Sequence, residues 1–255
     1  MTRPGAWIRR WGPALAGLAV PVAGIIGWTG FRSPEPPRTA PSRLEAFPLE
    51  VVAVPPGDHL VAAGAAWRTV ASPGFRIGRT EVTVAQYCEY LNRSRTAYQE
   101  TGQITRTGAA WTPRAGAEGR AVAWVTAAAA EGFCAWLSGI AGARVRLPAA
   151  AEWEVAARAG GTAERAGGWK AGAARPATPP EAGAPPENGY GMAGVGGGLF
   201  EWCRDGEALT AMDSAWTEPT SDFATLHHRW TPPPDYADGD VGFRVLVEDG
   251  KTNSQ

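Results

Sequence analysis

The chain has 255 residues, 24 of them basic and 25 acidic, with a formal net charge of −1. That length allows a sizeable buried core; the balanced charge excludes a nucleic-acid binder, which needs a basic excess to neutralise phosphates. A hydrophobic content of 44% against 19% charged residues excludes general disorder, and three cysteines with no C-x-x-C pair exclude a disulfide framework or a Cys-rich zinc site.

Two compositional features point to a loop-rich fold. Gly (33) and Pro (22) together make about a fifth of the chain against a usual ~12%. Trp contributes 12 residues and outnumbers Phe and Tyr, so indoles are the main apolar anchors between loops.

Residues 1–10 read as a basic tail on the cytoplasmic side, with Arg3, Arg9 and Arg10. The stretch Trp11–Phe31 carries no charge and is just long enough to span a bilayer, with Trp11 and Trp28 near its ends. It reads as a transmembrane anchor; its Pro13 and Pro21 and modest Leu content leave a cleaved signal peptide as the alternative. In both readings the remainder lies outside the cytoplasm, at the cell membrane if anchored, or secreted or periplasmic after signal cleavage. Residues 32–48 carry Pro34, Pro36, Pro37, Pro41 and Pro48 and form a stiff linker. The folded domain is expected over 49–249, followed by a short tail, 250–255.

Within the domain, LEVVAVPPGDHLVAAG (49–64) predicts a hairpin or a pair of short strands. SPGFRIGRTEVTVAQYCEYLN (72–92) predicts a strand running into a helix, with Thr83 and Gln86 as a capping box and Val84, Tyr87, Cys88 and Leu91 on one apolar face. AVAWVTAAAAEGFCAWLSG (121–139) repeats the design: Thr126 caps, Ala130, Phe133, Cys134 and Leu137 form the face, and Gly139 terminates. Cys88 and Cys134 are thereby read as small core hydrophobes. RVRLPAAAEWEVAARAG (144–160) predicts a short strand and a third helix ending at Gly160, with Glu154 and Arg158 as an i,i+4 pair. Residues 160–187 turn to Ala, Gly and Pro and read as irregular, with Trp169 as anchor. NGYGMAGVGGGLFEWCRD (188–205) is a glycine-rich turn entering a strand; without a following G-K-[ST] it is no phosphate loop. DGDVGFRVLVED (238–249) predicts a turn and a terminal strand.

Several of these segments together resemble the formylglycine-generating enzyme, or sulfatase-modifying factor, family. They are VPPG (54–57), FRIGRTEVTVAQYCEYLN (75–92), VAWVTAAAAEGFCAWLS (122–138), RLPAAAEWEVAARAG (146–160), NGYGMAGVGGGLFEWCRD (188–205) and GFRV (242–245), in the family's order over about 49–247. The resemblance implies an α+β, loop-rich C-type-lectin-like fold. Read physically, Arg146, Glu152, Glu154, Arg158, Glu201 and Arg244 are charges inside apolar runs and must be paired or hydrogen-bonded. With Trp153, Trp202 and Trp216 they form an architectural set. Trp153 and Trp202 are expected to be buried with their indole N–H groups bonded.

The chemistry implied by the resemblance is copper-dependent oxidation of a substrate cysteine to formylglycine by two cysteines that follow an RGGSW-type segment. That segment reads Met212-Asp213-Ser214-Ala215-Trp216, and the family's cysteine positions fall on Glu218 and Phe223. Neither side chain replaces a thiolate ligand of Cu(I), so cysteine oxidation is not expected. A non-heme iron branch of the family needs a histidine-rich site. This chain has His59, His227 and His228; adjacent residues on a strand face opposite ways, which leaves His59, one of that pair and an acid as the iron site the sequence allows. The family's calcium ion implies Glu201 as a ligand, but the partner positions have become Gly194 and Gly198, which weakens the site. Ala149 stands where the family has a helix-capping Thr. The reading is a membrane-anchored, extracytoplasmic binding or structural module whose ligand is a protein or a small molecule. The alternatives are an oxidoreductase with divergent site residues, and a part of an envelope complex that docks through 160–187.

Overall fold

The computed structural model describes residues 47–63, 66–162, 178–184, 187–217 and 225–248. All of them belong to one of two compact units, residues 39–255. The proposed anchor, most of the linker, Trp169, Glu218 and Phe223 lie outside the described residues. No helix among the described residues is long and apolar enough to cross a membrane.

The described residues form twelve short strands and three helices. Strands β1 (Val51–Val54), β2 (Gly57–Ala63), β3 (Ala66–Ser72) and β4 (Phe75–Gly78) precede helix α1 (Val84–Ser94). Strands β5 (Ile104–Thr107) and β6 (Ala110–Pro113) lead to α2 (Ala127–Ala141), then β7 (Val145–Arg146) and α3 (Ala150–Arg158). The chain ends with β8 (Phe200–Asp205), β9 (Ala208–Met212), β10 (Arg229–Trp230), β11 (Val241–Gly242) and β12 (Leu246–Val247). Two four-stranded sheets run β1-β4-β12-β7 and β10-β9-β8-β11, and β2-β3 and β5-β6 are separate two-stranded ribbons. Every pairing between these strands is antiparallel except β8 with β11.

The helices start where their caps dictate. Thr83 accepts the Gln86 N–H while the Gln86 side chain accepts the Thr83 N–H, a complete capping box. Thr126 accepts the Ala129 N–H. Helix α2 does not stop at Gly139; it continues to Ala141 and ends at Gly142, whose left-handed backbone (φ 66°) supplies the C-cap. Helix α3 has no side-chain acceptor at Ala149, so its cap is one-sided: the Glu152 carboxylate takes the Ala149 N–H at 2.7 Å.

Two cores lie on either side of the strands that separate them, as the two-residue period of a strand requires. One gathers Tyr87, Leu91, Phe133, Leu137, Trp202, Val245 and Phe243 beneath α1 and α2. The other gathers Phe75, Ile77, Trp153, Met192, Cys203 and Leu246 around α3. Thus Phe200 and Trp202 point into the first and Cys203 into the second.

Of the two readings of the opening segment, the pair of short strands holds and the hairpin does not: β1 pairs with β4, and β2 pairs with β3. The Pro-Pro-Gly step turns the chain out of one sheet into another. The terminal strand is split, with β11 beside β8 and β12 between β4 and β7. At Gly242 a side chain would run into the Val122 carbonyl and the Leu199 side chain, so glycine lets β11 pack flush. His227 and His228 lie in a turn rather than on a strand, so the opposite-faces argument does not apply to them.

Candidate functional site

The glycine-rich loop before β8 covers a cluster of buried charge. Glu201 on β8 and Arg244 just before β12 face each other. The Arg244 Nε and Nη2 donate to the two Glu201 oxygens at 2.6 and 2.5 Å, a bidentate pair with neither side chain exposed. Trp153 on α3 donates its indole N–H to the same carboxylate at 2.7 Å. The third Arg244 nitrogen, Nη1, donates to the carbonyls of Ala193 (3.0 Å) and Gly78 (3.2 Å). One guanidinium therefore ties two sheets and the loop together.

Two further acids belong to this cluster, and neither was singled out from the sequence. Glu81 is fully buried, with Oε2 accepting the Gly183 N–H at 2.9 Å and lying 3.9 Å from Arg244. Burial pushes its carboxyl up to about 7, Arg244 opposing and Glu201 adding to the rise. Asp213 is also buried, holds a left-handed backbone (φ 80°), and accepts the Gly196 N–H through both oxygens at 2.9 Å. Burial, then the neighbouring Glu201 charge, raises it well above the ordinary carboxylate range. A charged residue within the run Ile77–Val82 was the available signal for Glu81.

This geometry decides how the family's calcium pattern fits. Glu201 spends both oxygens on Arg244 and Trp153. A side chain at Gly194 would collide with the Glu81 carboxylate, and a Cβ at Gly198 would sit 2.5 Å from Glu81 Oε1. The room that the family's ligands take is filled by Glu81, and the residues present do not fit that calcium site. Among the described residues no three His, Cys, Asp or Glu side chains group to hold a metal ion.

The other residues singled out from the sequence sit in separate structural roles. Arg146 grips Glu152 through two bonds of 2.7 Å and Glu248 through one of 2.6 Å. Glu154 and Arg158 form a buried pair at 2.7 Å, and Glu154 also accepts the Ala62 N–H, which locks β2 onto α3. The Arg158 guanidinium lies 4.5 Å over the half-exposed Trp67 ring. Trp202, like Trp153, has no exposed surface; it donates to the Val125 carbonyl at 2.8 Å. Trp216 donates to the Gly239 carbonyl at 3.0 Å. His59, on β2, contacts the Pro55 carbonyl, while His228 contacts the Asp213 carbonyl and the Phe200 ring.

Copper chemistry would need accessible thiolates. All three cysteines of the chain are free and buried, Cys88 and Cys134 in one core and Cys203 in the other. Burial drives the Cys88 thiol up to about 12 and those of Cys134 and Cys203 upward as well. Thiols held protonated inside a core are neither nucleophiles nor metal ligands. The donor set does not fit a copper site.

A mixed helix-and-sheet domain with three helices, short strands and long loops pinned by ion pairs and indoles defines the structural class. The chain belongs to the sulfatase-modifying factor enzyme 1-like domain family, whose model matches residues 38–249. Solved structures with a similar fold include PvdO from Pseudomonas aeruginosa, 21% identical over 78% of this chain and 94% of that one, with a TM-score of 0.64. Treponema denticola variable protein 1 is 18% identical over 78% and 95% (TM-score 0.62), and CarF is 22% identical over 80% and 99% (TM-score 0.58). At these identities the likeness is one of fold. No curated protein sequence matches the chain.

Proposed function

We propose that this chain is a binding or structural member of the sulfatase-modifying factor family, of C-type-lectin-like architecture, that does not oxidise cysteine. The observation that carries the reading is the fate of its thiols. The chain has three cysteines, and every one is a core residue on a separate helix or strand. The positions where the family's spacing puts its reactive pair are Glu218 and Phe223. A carboxylate is a hard ligand and a phenyl ring is no ligand, so neither selects Cu(I).

The test is direct. Purified protein is incubated with a sulfatase-type Cys peptide, copper and oxygen, and the peptide is weighed by mass spectrometry. The peptide is expected to keep its thiol. Conversion of that thiol to an aldehyde contradicts the reading.

We also propose that the domain is held at the membrane with its bulk outside the cytoplasm. The uncharged run 11–31 and the preceding Arg3, Arg9 and Arg10 support this topology. Removal of residues 1–46 is expected to give a soluble, folded domain. Aggregation of that truncation, with soluble full-length protein, counts against it.

A further inference from the structure

The C-terminal end of α1 and the β5-β6 ribbon border an open cavity of about 450 Å3. That is within the range of small-molecule sites, about 300–1,000 Å3. Asn92, Arg95, Thr96, Tyr98, Arg106 and Trp111 line it. None of these residues takes part in the buried charge cluster or the family's cysteine segment.

The walls are fixed before any ligand arrives. The Asn92 side-chain amide donates to the Trp111 carbonyl at 2.9 Å, and its oxygen accepts the Trp111 N–H at 2.8 Å. This clamps the helix to β6. Tyr98 is held by its hydroxyl, which donates to the Trp124 carbonyl at 3.2 Å, and packs edge-on against Trp111 with ring centroids 5.8 Å apart. Helix α1 stops at Arg95, whose left-handed backbone (φ 55°) turns the chain along the cavity. Preorganised aromatic walls bind with little ordering cost.

Its charge has one sign. Arg106 lies 5.4 Å over the Trp111 ring and has no carboxylate partner among the described residues; Arg95 has none either. Neighbouring guanidiniums are satisfied: Arg93 pairs with Glu89, and Arg114 with Glu100. The Glu100 carboxylate also accepts from the Thr105 hydroxyl and the Arg106 N–H, so it is occupied. No carboxylate lines the cavity. Two unpaired guanidiniums beside an indole and a phenol match an oxyanion carried on a flat apolar body.

We propose that this cavity is a binding site for small organic anions, a carboxylate or phosphate group on an aromatic or apolar frame. The anion sits between Arg95 and Arg106, and the frame lies against Trp111 and Tyr98. The proposal rests on the binding-module reading for its biological sense and gives that reading a ligand class. The two fail separately: aldehyde formation in the peptide assay would remove the reading and leave the cavity untouched, while a failed titration leaves the argument from the cysteines standing.

The test is calorimetric titration of the purified full chain with 2-naphthoate, phenyl phosphate and the neutral 2-naphthalenemethanol, with inorganic phosphate as the bare anion. Naphthoate or phenyl phosphate is expected to bind, and the neutral alcohol to bind at least about tenfold more weakly, as loss of a charge-assisted contact implies. The Arg95→Gln/Arg106→Gln variant should lose about tenfold or more in affinity for the anions while keeping the wild-type Tm, since neither guanidinium has an ion-pair partner to lose. Trp111→Leu should weaken the aryl anions and leave inorganic phosphate unchanged. Equal affinity of wild type and the double Arg variant, equal binding of the alcohol, or no binding of either aryl anion at millimolar concentration overturns the proposal. If the double variant does not fold, arginine Nε resonances of the wild type decide: shifts confined to Arg95 and Arg106 on adding naphthoate support the site, and their absence refutes it.

Discussion

Beneath the glycine loop one guanidinium faces three carboxyl groups. Arg244 is committed to Glu201, so Glu81 and Asp213 stay in the interior by holding their protons, as burial demands of an unbalanced acid. This makes stability fall as pH rises. Below the ordinary carboxyl value of 4.5 folded and unfolded chains are both protonated at Glu81 and the fold is not penalised. Between there and about 7 the unfolded chain gives up a proton that the folded chain keeps, and above about 7 the loss is complete. Thermal melts are therefore expected to give a Tm several degrees lower at pH 8 than at pH 5, and Glu81→Gln should flatten that slope; a melt that rises toward pH 8 argues against a protonated Glu81. Removing the counter-charge is harsher. Arg244→Met leaves Glu201 buried without its partner and should cost about 3–5 kcal/mol in urea unfolding. Truncating the fully buried indole of Trp202 should cost a similar amount, about 3–5 kcal/mol. Glu201 and Arg244 were legible because each interrupts an apolar run. Asp213 was not, because its partner, the Gly196 N–H, lies 17 residues earlier in a loop whose path no periodicity encodes.

Helices were the elements that local chemistry specified most fully. Thr83 with Gln86, and Thr126 alone, fix where α1 and α2 begin, and the 3.6-residue period fixes which face is buried. The end of α2 was misread because Gly139 is exposed and helical, while Gly142 takes the left-handed turn. Short strands were legible as apolar runs, β7 as a short strand and β11 with β12 as one terminal strand, while the seven-residue β3 was not read. What the sequence does not carry is the partner: Leu246 pairs with both Ile77 and Arg146, and such pairing leaves no local pattern. The β5-β6 ribbon, and with it the cavity, was missed for a different reason: its turn at Gly108 (φ 63°) joins strands in which Ile104 alone is buried and which lack apolar alternation. At α3 the missing cap gives a prediction of gain. Ala149 already holds extended backbone (φ −68°, ψ 151°), so Ala149→Ser can accept an orphan N–H of the first turn without strain. The substitution should stabilise the domain by about 1 kcal/mol, read as a raised urea midpoint at unchanged slope.

At the scale of the whole molecule, a domain with short strands and long loops is held by contacts between distant segments: Arg244 to the glycine loop, Glu154 to β2, Arg146 to Glu248. The sequence motifs that mark the family are largely these contacts, which is why the fold was readable while the cavity proposed as a ligand site was not. Cys88, Cys134 and Cys203 are packing residues within that framework rather than parts of a reactive cleft. Their burial is the central claim, and a thiol titration of the native full chain tests it most directly. With a disulfide reagent such as Ellman's, no thiol is expected to react at the rate of a free thiol in native buffer, and all three are expected to react after unfolding in guanidinium. Rapid reaction of even one thiol in the native protein, at neutral pH, would contradict the account.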